Sequence, residues 1–207
     1  MMLPIGIMQG RLSPPVDGQI QAFPSEHWKE EFVLAREAGF KCIEWIYDKS
    51  QDQLNPLESE SGIKEIRICT EQTGVRVSSI CADYYMSELL VKEDGTENER
   101  VVSNLKWLIS QSNKLDVNYI VLPFVDASSL VSKNHIRTAV NIIRQLIPHI
   151  VNCDIELHLE SDLPPKLFTS FLEEIDHRFV KVNFDIGNSA ALGYDPAEEL
   201  RVLSPFL

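Results

Sequence analysis

The chain has 207 residues, 44% hydrophobic and 24% charged, which is enough for one domain with a sizeable core. Its 31 acidic against 19 basic residues leave a formal charge of −12, which repels phosphate polymers and sets nucleic acid aside as a partner. No segment approaches the roughly 20 apolar residues of a membrane span, so no membrane role is expected.

The opening Met1-Met2-Leu3-Pro4 has neither the basic region nor the apolar stretch of a signal peptide. Cys42, Cys69, Cys81 and Cys153 show no C-x-x-C spacing, so neither a zinc knuckle nor a thioredoxin-type site is suggested. Cys42 and Cys81 lie in apolar runs and read as small buried hydrophobes. A reducing, cytoplasmic setting is expected.

Along the chain, short β-branched runs alternate with longer amphipathic stretches. Ile5 to Met8 is the first strand, followed by a helix from Glu26 to Ala38 that Gly39 stops. Cys42 to Ile46 is the second strand, and a helix from Glu58 to Thr73 ends at Gly74. Strand three is Val75 to Cys81, with a helix over Asn98 to Lys114. Strand four is Tyr119 to Leu122, with a helix over His135 to Ile150. Strand five is Ile155 to Leu159, with a helix over Pro165 to Asp176. Strand six is Val180 to Phe184, and Pro196 to Val202 opens a last helix.

Strands separated by helices must be parallel, because parallel neighbours need a long return path. A doubly wound open sheet and a (β/α)8 barrel both meet that requirement. No Gly-rich dinucleotide fingerprint follows the first strand; Gly6 and Gly10 alone do not make one. Polar residues recur instead at strand ends: Gln9 and Arg11, Glu44, Asp83, Asp126, Glu160, Asp185. A barrel brings all strand C-termini to one mouth, so such residues surround a single site. The expected fold is therefore α/β, of the (β/α)8 TIM-barrel type, with six βα units present in a single domain over 1–207. The loop from Leu12 to Pro24 is long for a βα connection and reads as a mouth loop.

Glu160 and Asp185 end successive apolar strands. Parallel neighbours lie roughly 4.8 Å apart, so the two carboxylates can share one cation, and hard divalent metals prefer oxygen ligands. Taken singly, each reads as an ordinary loop carboxylate or helix cap, since acidic residues commonly cap helices. His158 precedes Glu160 by two residues and points the same way along the strand, which suits the mouth or, more commonly, a satisfied histidine of the barrel interior. Glu44 suits hydrogen bonds to substrate hydroxyls or an internal ion pair. Arg11 suits a phosphate or a loop salt bridge. Asp83-Tyr84-Tyr85 and Asp126 are mouth residues without a derivable role. Trp28 and Trp107 fall in helices, where core packing is the default.

The run Ile155-Glu156-Leu157-His158-Leu159-Glu160 and the run Asn183-Phe184-Asp185-Ile186-Gly187-Asn188 resemble two metal-site strands of the xylose-isomerase-like barrels. That superfamily includes sugar-phosphate isomerases/epimerases and, more distantly, endonuclease IV. The opening Ile5-Gly6-Ile7-Met8-Gln9-Gly10-Arg11-Leu12 and the run Gly39-Phe40-Lys41-Cys42-Ile43-Glu44-Trp45 resemble the isomerase/epimerase branch. The resemblance implies a divalent metal (Mn, Mg, Co or Zn) held by Glu on strand five, Asp on strand six, His on strand seven and Glu on strand eight. Glu160 and Asp185 match the first two, and the other two have no counterpart here. On this reading the barrel is incomplete at the C-terminus.

The implied reaction is isomerisation or epimerisation of a small ketose or sugar phosphate. A metal polarises the carbonyl and a carboxylate moves the α proton through an ene-diolate. Glu160 is the catalytic candidate, Glu160 and Asp185 the metal ligands, and Arg11, Glu44, Asp83, His158 and Asn188 the substrate-binding candidates. A phosphodiester hydrolase of the endonuclease IV kind needs several clustered histidines and a basic groove, and five scattered histidines on an acidic chain disfavour it. An inactive or purely binding barrel is the third reading. Six strands cannot close at the usual tilt and shear, so strands one and six are expected as open edges, either covered in a homo-oligomer or left by the loss of the remaining strands.

Overall fold

The computed structural model describes residues 5–19, 21–49 and 55–207. Met1-Met2-Leu3-Pro4, read above for a signal peptide, lies outside them. Six strands form one sheet: β1 (Gly6–Met8), β2 (Cys42–Ile46), β3 (Arg76–Cys81), β4 (Tyr119–Phe124), β5 (Glu156–Ser161) and β6 (Val180–Val182). Every neighbouring pair is parallel and the order is strictly sequential, β1 to β6. A doubly wound sheet must reverse its strand order at a switch point. No reversal occurs here, so the arrangement is that of a (β/α)8-type barrel with six of its strands. Among the described residues, β1 and β6 are the open edges.

The helices are α1 (Trp28–Glu37), α2 (Glu60–Thr73), α3 (Tyr84–Ser87), α4 (Glu99–Asn113), α5 (Lys133–Cys153), α6 (Pro165–Ile175), α7 (Ile186–Leu192) and α8 (Pro196–Leu203). Neighbouring helices pack in sequence, α1 on α2, α4 on α5 and α5 on α6. Their punctuation is local. Ser59 caps α2 by accepting from the Gly62 N–H, and Gly74 ends it with φ +73°, a conformation that disfavours any side chain.

Strand alternation divides the side chains into two sets. Ile43, Trp45, Ile80, Ile120, Leu122, Phe124, Leu157, Leu159, Val180 and Val182 are buried against the helices. Trp45 packs on Trp28 and Phe32 of α1, and Phe124 meets Phe171 of α6 edge-on. The opposite face carries Glu44, Ser79, Cys81, Tyr119, His158 and Glu160, a polar interior along the barrel axis. One residue of β3, Ser78, has no partner on β2: Ile43 pairs with Val77, and Glu44 with Ser79. That extra residue keeps Ser79 opposite Glu44 and facing the interior.

Sequence expectation and structure differ at several strand ends: β1, β3 and β5 each start one residue later than expected, and β5 runs on to Ser161, beyond the expected Leu159. β4 runs through Pro123 to Phe124, beyond the expected Leu122. Ala82 N–H bonds Val121 O, so Pro123 faces the same side, where β3 has already ended and no ladder bond is lost. β6 stops at Val182, short of the expected Phe184; the chain passes through Asn183 and Phe184 to Asp185, which caps α7. That helix was not expected from the sequence.

Candidate active site

A cavity of about 820 Å³ opens at the C-terminal ends of the strands. Glu44, Asp83, Glu160, Asp185 and Asn188 all line it, together with Asp126. Residues far apart in sequence thus converge on one mouth.

Glu160 is the penultimate residue of β5. Its Oε2 accepts from Asn183 Nδ2 at 2.7 Å and its Oε1 from Asn188 Nδ2 at 2.5 Å. Burial pushes its carboxyl up from 4.5 to about 7; the Asn183 amide opposes this, and the charges of Asp185, Asp83 and Glu44 reinforce it. Asp185 stands three residues past β6 as the N-cap of α7. Its Oδ1 accepts from the N–H groups of Gly187 (2.7 Å) and Asn188 (3.2 Å). One cap therefore sets both the Asp185 carboxylate and, through the first turn of α7, the Asn188 amide on Glu160. Asp185 is thus a helix cap and a cavity-lining carboxylate at once.

Glu44 accepts from Ser79 Oγ at 2.8 Å, and its carboxyl is raised by burial, against the Ser79 bond and with help from Asp83. Asp83 accepts from Gln21 Nε2 at 2.7 Å and from the Cys81 thiol at 3.2 Å. It too is raised, first by burial. His158 sits two residues nearer the start of β5. It is stacked on Tyr119 with ring centroids 4.1 Å apart and bonded to Glu156 at 2.9 Å, and is not among the described residues lining the mouth. Burial lowers its proton affinity, against the pull of Glu156. Arg11 is exposed at the rim, with Nη2 on Met8 Sδ, and its charge reaches Asp83.

Three contributors were not read from the sequence. Asn183 was quoted there but given no role. Asp48 lines the cavity and accepts from Phe23 N–H. Glu31 is only 1% exposed. It accepts from the N–H groups of Gly10 (2.8 Å), Leu12 (3.2 Å) and Ser13 (3.1 Å), and from Ser13 Oγ (2.8 Å). It therefore ties down the loop that carries Arg11. A signal was present: a glutamate on the buried stripe of α1 with Trp28, Phe32 and Ala35 needs internal partners.

As a metal site the residues fit in part. Glu160 and Asp185 offer hard oxygen donors beside one cavity, in a field of further carboxylates that a cation would relieve. Among the described residues no group of three or more His, Cys, Asp or Glu is arranged to hold a metal. Glu160 and Asp185 are the pair of described carboxylates that could hold a cation here.

Residues 32–207 match the xylose isomerase-like TIM barrel family. The chain belongs to that family. No curated protein matches it in sequence. Solved structures share its fold. The D-psicose 3-epimerase of Clostridium cellulolyticum H10, solved with D-tagatose, is 17% identical with a TM-score of 0.76, over 99% of this chain and 71% of its own. A xylose isomerase-like TIM barrel protein of Mycobacterium smegmatis, solved with magnesium, is 21% identical with a TM-score of 0.72, over 99% and 72%. The 3-keto-D-glucoside 4-epimerase of E. coli is 15% identical with a TM-score of 0.68, over 97% and 76%.

Proposed function

We propose that this family member acts as a metal-dependent isomerase or epimerase on a small sugar, moving a proton on the carbon next to a carbonyl. The observation that carries this reading is Glu160: a half-buried carboxyl held by two asparagine amides, with its proton affinity near neutrality, facing a cavity shared with Asp185. A base poised near the working pH suits reversible proton transfer.

Glu160 removes the α proton and, with Asp185, holds a divalent cation such as Mn, Mg, Co or Zn. That cation, when bound, polarises the substrate carbonyl. The Asn183 and Asn188 amides keep the Glu160 carboxylate in one orientation. Glu44 and Asp83 accept hydrogen bonds from substrate hydroxyls, and Arg11 approaches the substrate from the rim. The acidic mouth and the net charge of −12 speak against a nucleic acid substrate. Four free thiols fit a cytoplasmic location, and the open edges β1 and β6 fit a homo-oligomer.

A second reading, a sugar-binding barrel without turnover, is favoured by the two-carboxylate donor set. Proton exchange separates the two readings. Ketoses incubated with the protein and Mn²⁺ in deuterated water should gain deuterium at the α carbon, and Glu160→Gln should abolish the exchange. Binding of the sugar without exchange in the wild type would favour the binding protein.

A further inference from the structure

The charge lining the mouth bears on whether the substrate carries a phosphate. Glu44, Asp48, Asp83, Asp126, Glu160 and Asp185 line the cavity against a single cation among the described residues, Lys49. Lys49 is already engaged, its Nζ bonded to the Glu88 carboxylate, which is not among the described lining residues. The carboxylates also sense one another. Beyond burial and the hydrogen bonds that oppose it, the charge of Asp83 reaches Glu44, that of Asp48 reaches Asp83, where Arg11 opposes it, and those of Asp185, Asp83 and Glu44 reach Glu160. A divalent cation on Glu160 and Asp185 would offset those two and leave Glu44, Asp48, Asp83 and Asp126.

We propose that the mouth selects an uncharged polyhydroxy carbonyl compound and discriminates against its phosphate ester, an inference that rests on the isomerase/epimerase reading. A phosphate monoester brings roughly −1.5 to −2 charges at neutral pH. Carboxylates can only accept hydrogen bonds, so they pair with hydroxyl groups and repel phosphate oxygens. The amides of Asn183 and Asn188 each give one N–H to Glu160 and keep a second for a sugar's oxygens, without adding charge. Arg11 stands outside the described lining.

The test is calorimetric binding to the Mn²⁺-loaded chain of a panel of ketopentoses and ketohexoses, each paired with its terminal phosphate ester. The best neutral sugar should bind at least about tenfold more tightly than its ester at low salt, and high salt should narrow the gap by screening. Asp126→Asn should narrow it too, by improving the ester; the substitution suits the local backbone, since Asp126 has φ +51° and asparagine tolerates that region. An ester that binds as tightly as its parent sugar, or more tightly, overturns the charge inference and leaves the isomerase reading standing. A panel in which no neutral sugar and no ester binds overturns both.

Discussion

Asn188 Nδ2 donates to Glu160 Oε1 at 2.5 Å, joining the first turn of α7 to the end of β5. The bond makes the orientation of the candidate base depend on a helix that Asp185 caps. Asn188→Ala removes the donor and leaves a half-buried carboxylate oxygen unsatisfied. We expect a stability loss of about 1–2 kcal/mol at pH 8. The loss should shrink at pH 5, where Glu160 is protonated. Urea titrations at the two pH values measure it, and an equal loss at both would show that the amide does not act on the ionised carboxyl.

The raised proton affinity of Glu160 predicts a pH slope. Between its ordinary value of 4.5 and its folded value of about 7, the folded protein holds a proton that the unfolded chain has released. Stability therefore falls as pH rises through this window, by at most about 3 kcal/mol, and is flat from this group below it. Glu160→Gln cannot titrate and should flatten the slope. Thermal unfolding in chelator from pH 4.5 to 7.5 compares the two, and parallel curves would remove Glu160 as the cause.

Asp185 separates two roles by substitution. Asn is as good a helix cap as Asp, so Asp185→Asn should keep α7 while losing the charge. Asp185→Ala should lose both, at a further cost of about 1 kcal/mol. Calorimetric titration with Mn²⁺ should show weaker binding in both variants and in Glu160→Gln. Wild-type affinity in all three would remove these carboxylates from the metal site.

Glu31 predicts a local effect. Glu31→Ala strands the N–H groups of Gly10, Leu12 and Ser13 and should cost about 2–3 kcal/mol. Hydrogen exchange should accelerate at those three amides before it does in β2 or β3. Uniform acceleration across the sheet would mean that Glu31 supports the core rather than the loop.

The strands were legible because burial on one face leaves a β-branched run bounded by turn residues, as in Cys42–Ile46, where expectation and structure coincide. The convergence at the mouth was legible from topology: sequential parallel strands place all their C-terminal ends together. α7 was not, because Ile186-Gly187-Asn188-Ser189 has poor helix propensity. Its signals were an Asp cap at one end and Gly193, at φ +75°, at the other. The partner of Asn188 was also hidden. A short polar side chain near a strand end reads as substrate-facing until the helix turn that aims it is known. Glu31 escaped because periodicity identifies its buried face but not which backbone groups fill it.

The last prediction concerns the edges. β6 carries Lys181 at its centre, a charge of the kind that discourages strand addition. β1, Gly6-Ile7-Met8, carries no charge, and Ile5 beside it is 71% exposed. Both strands present unpaired backbone on their outer sides among the described residues. Self-association should therefore run through β1 rather than β6. Ile5→Lys places like charges across a β1-to-β1 contact and should weaken association by about 1 kcal/mol, roughly fivefold. Lys181→Ala should leave it unchanged or strengthen it slightly. Sedimentation velocity over a concentration series reads both variants against the wild type. A wild-type chain that stays monomeric at all concentrations would show that β1 is covered by something other than a second copy, and an effect confined to Lys181→Ala would move the interface to β6.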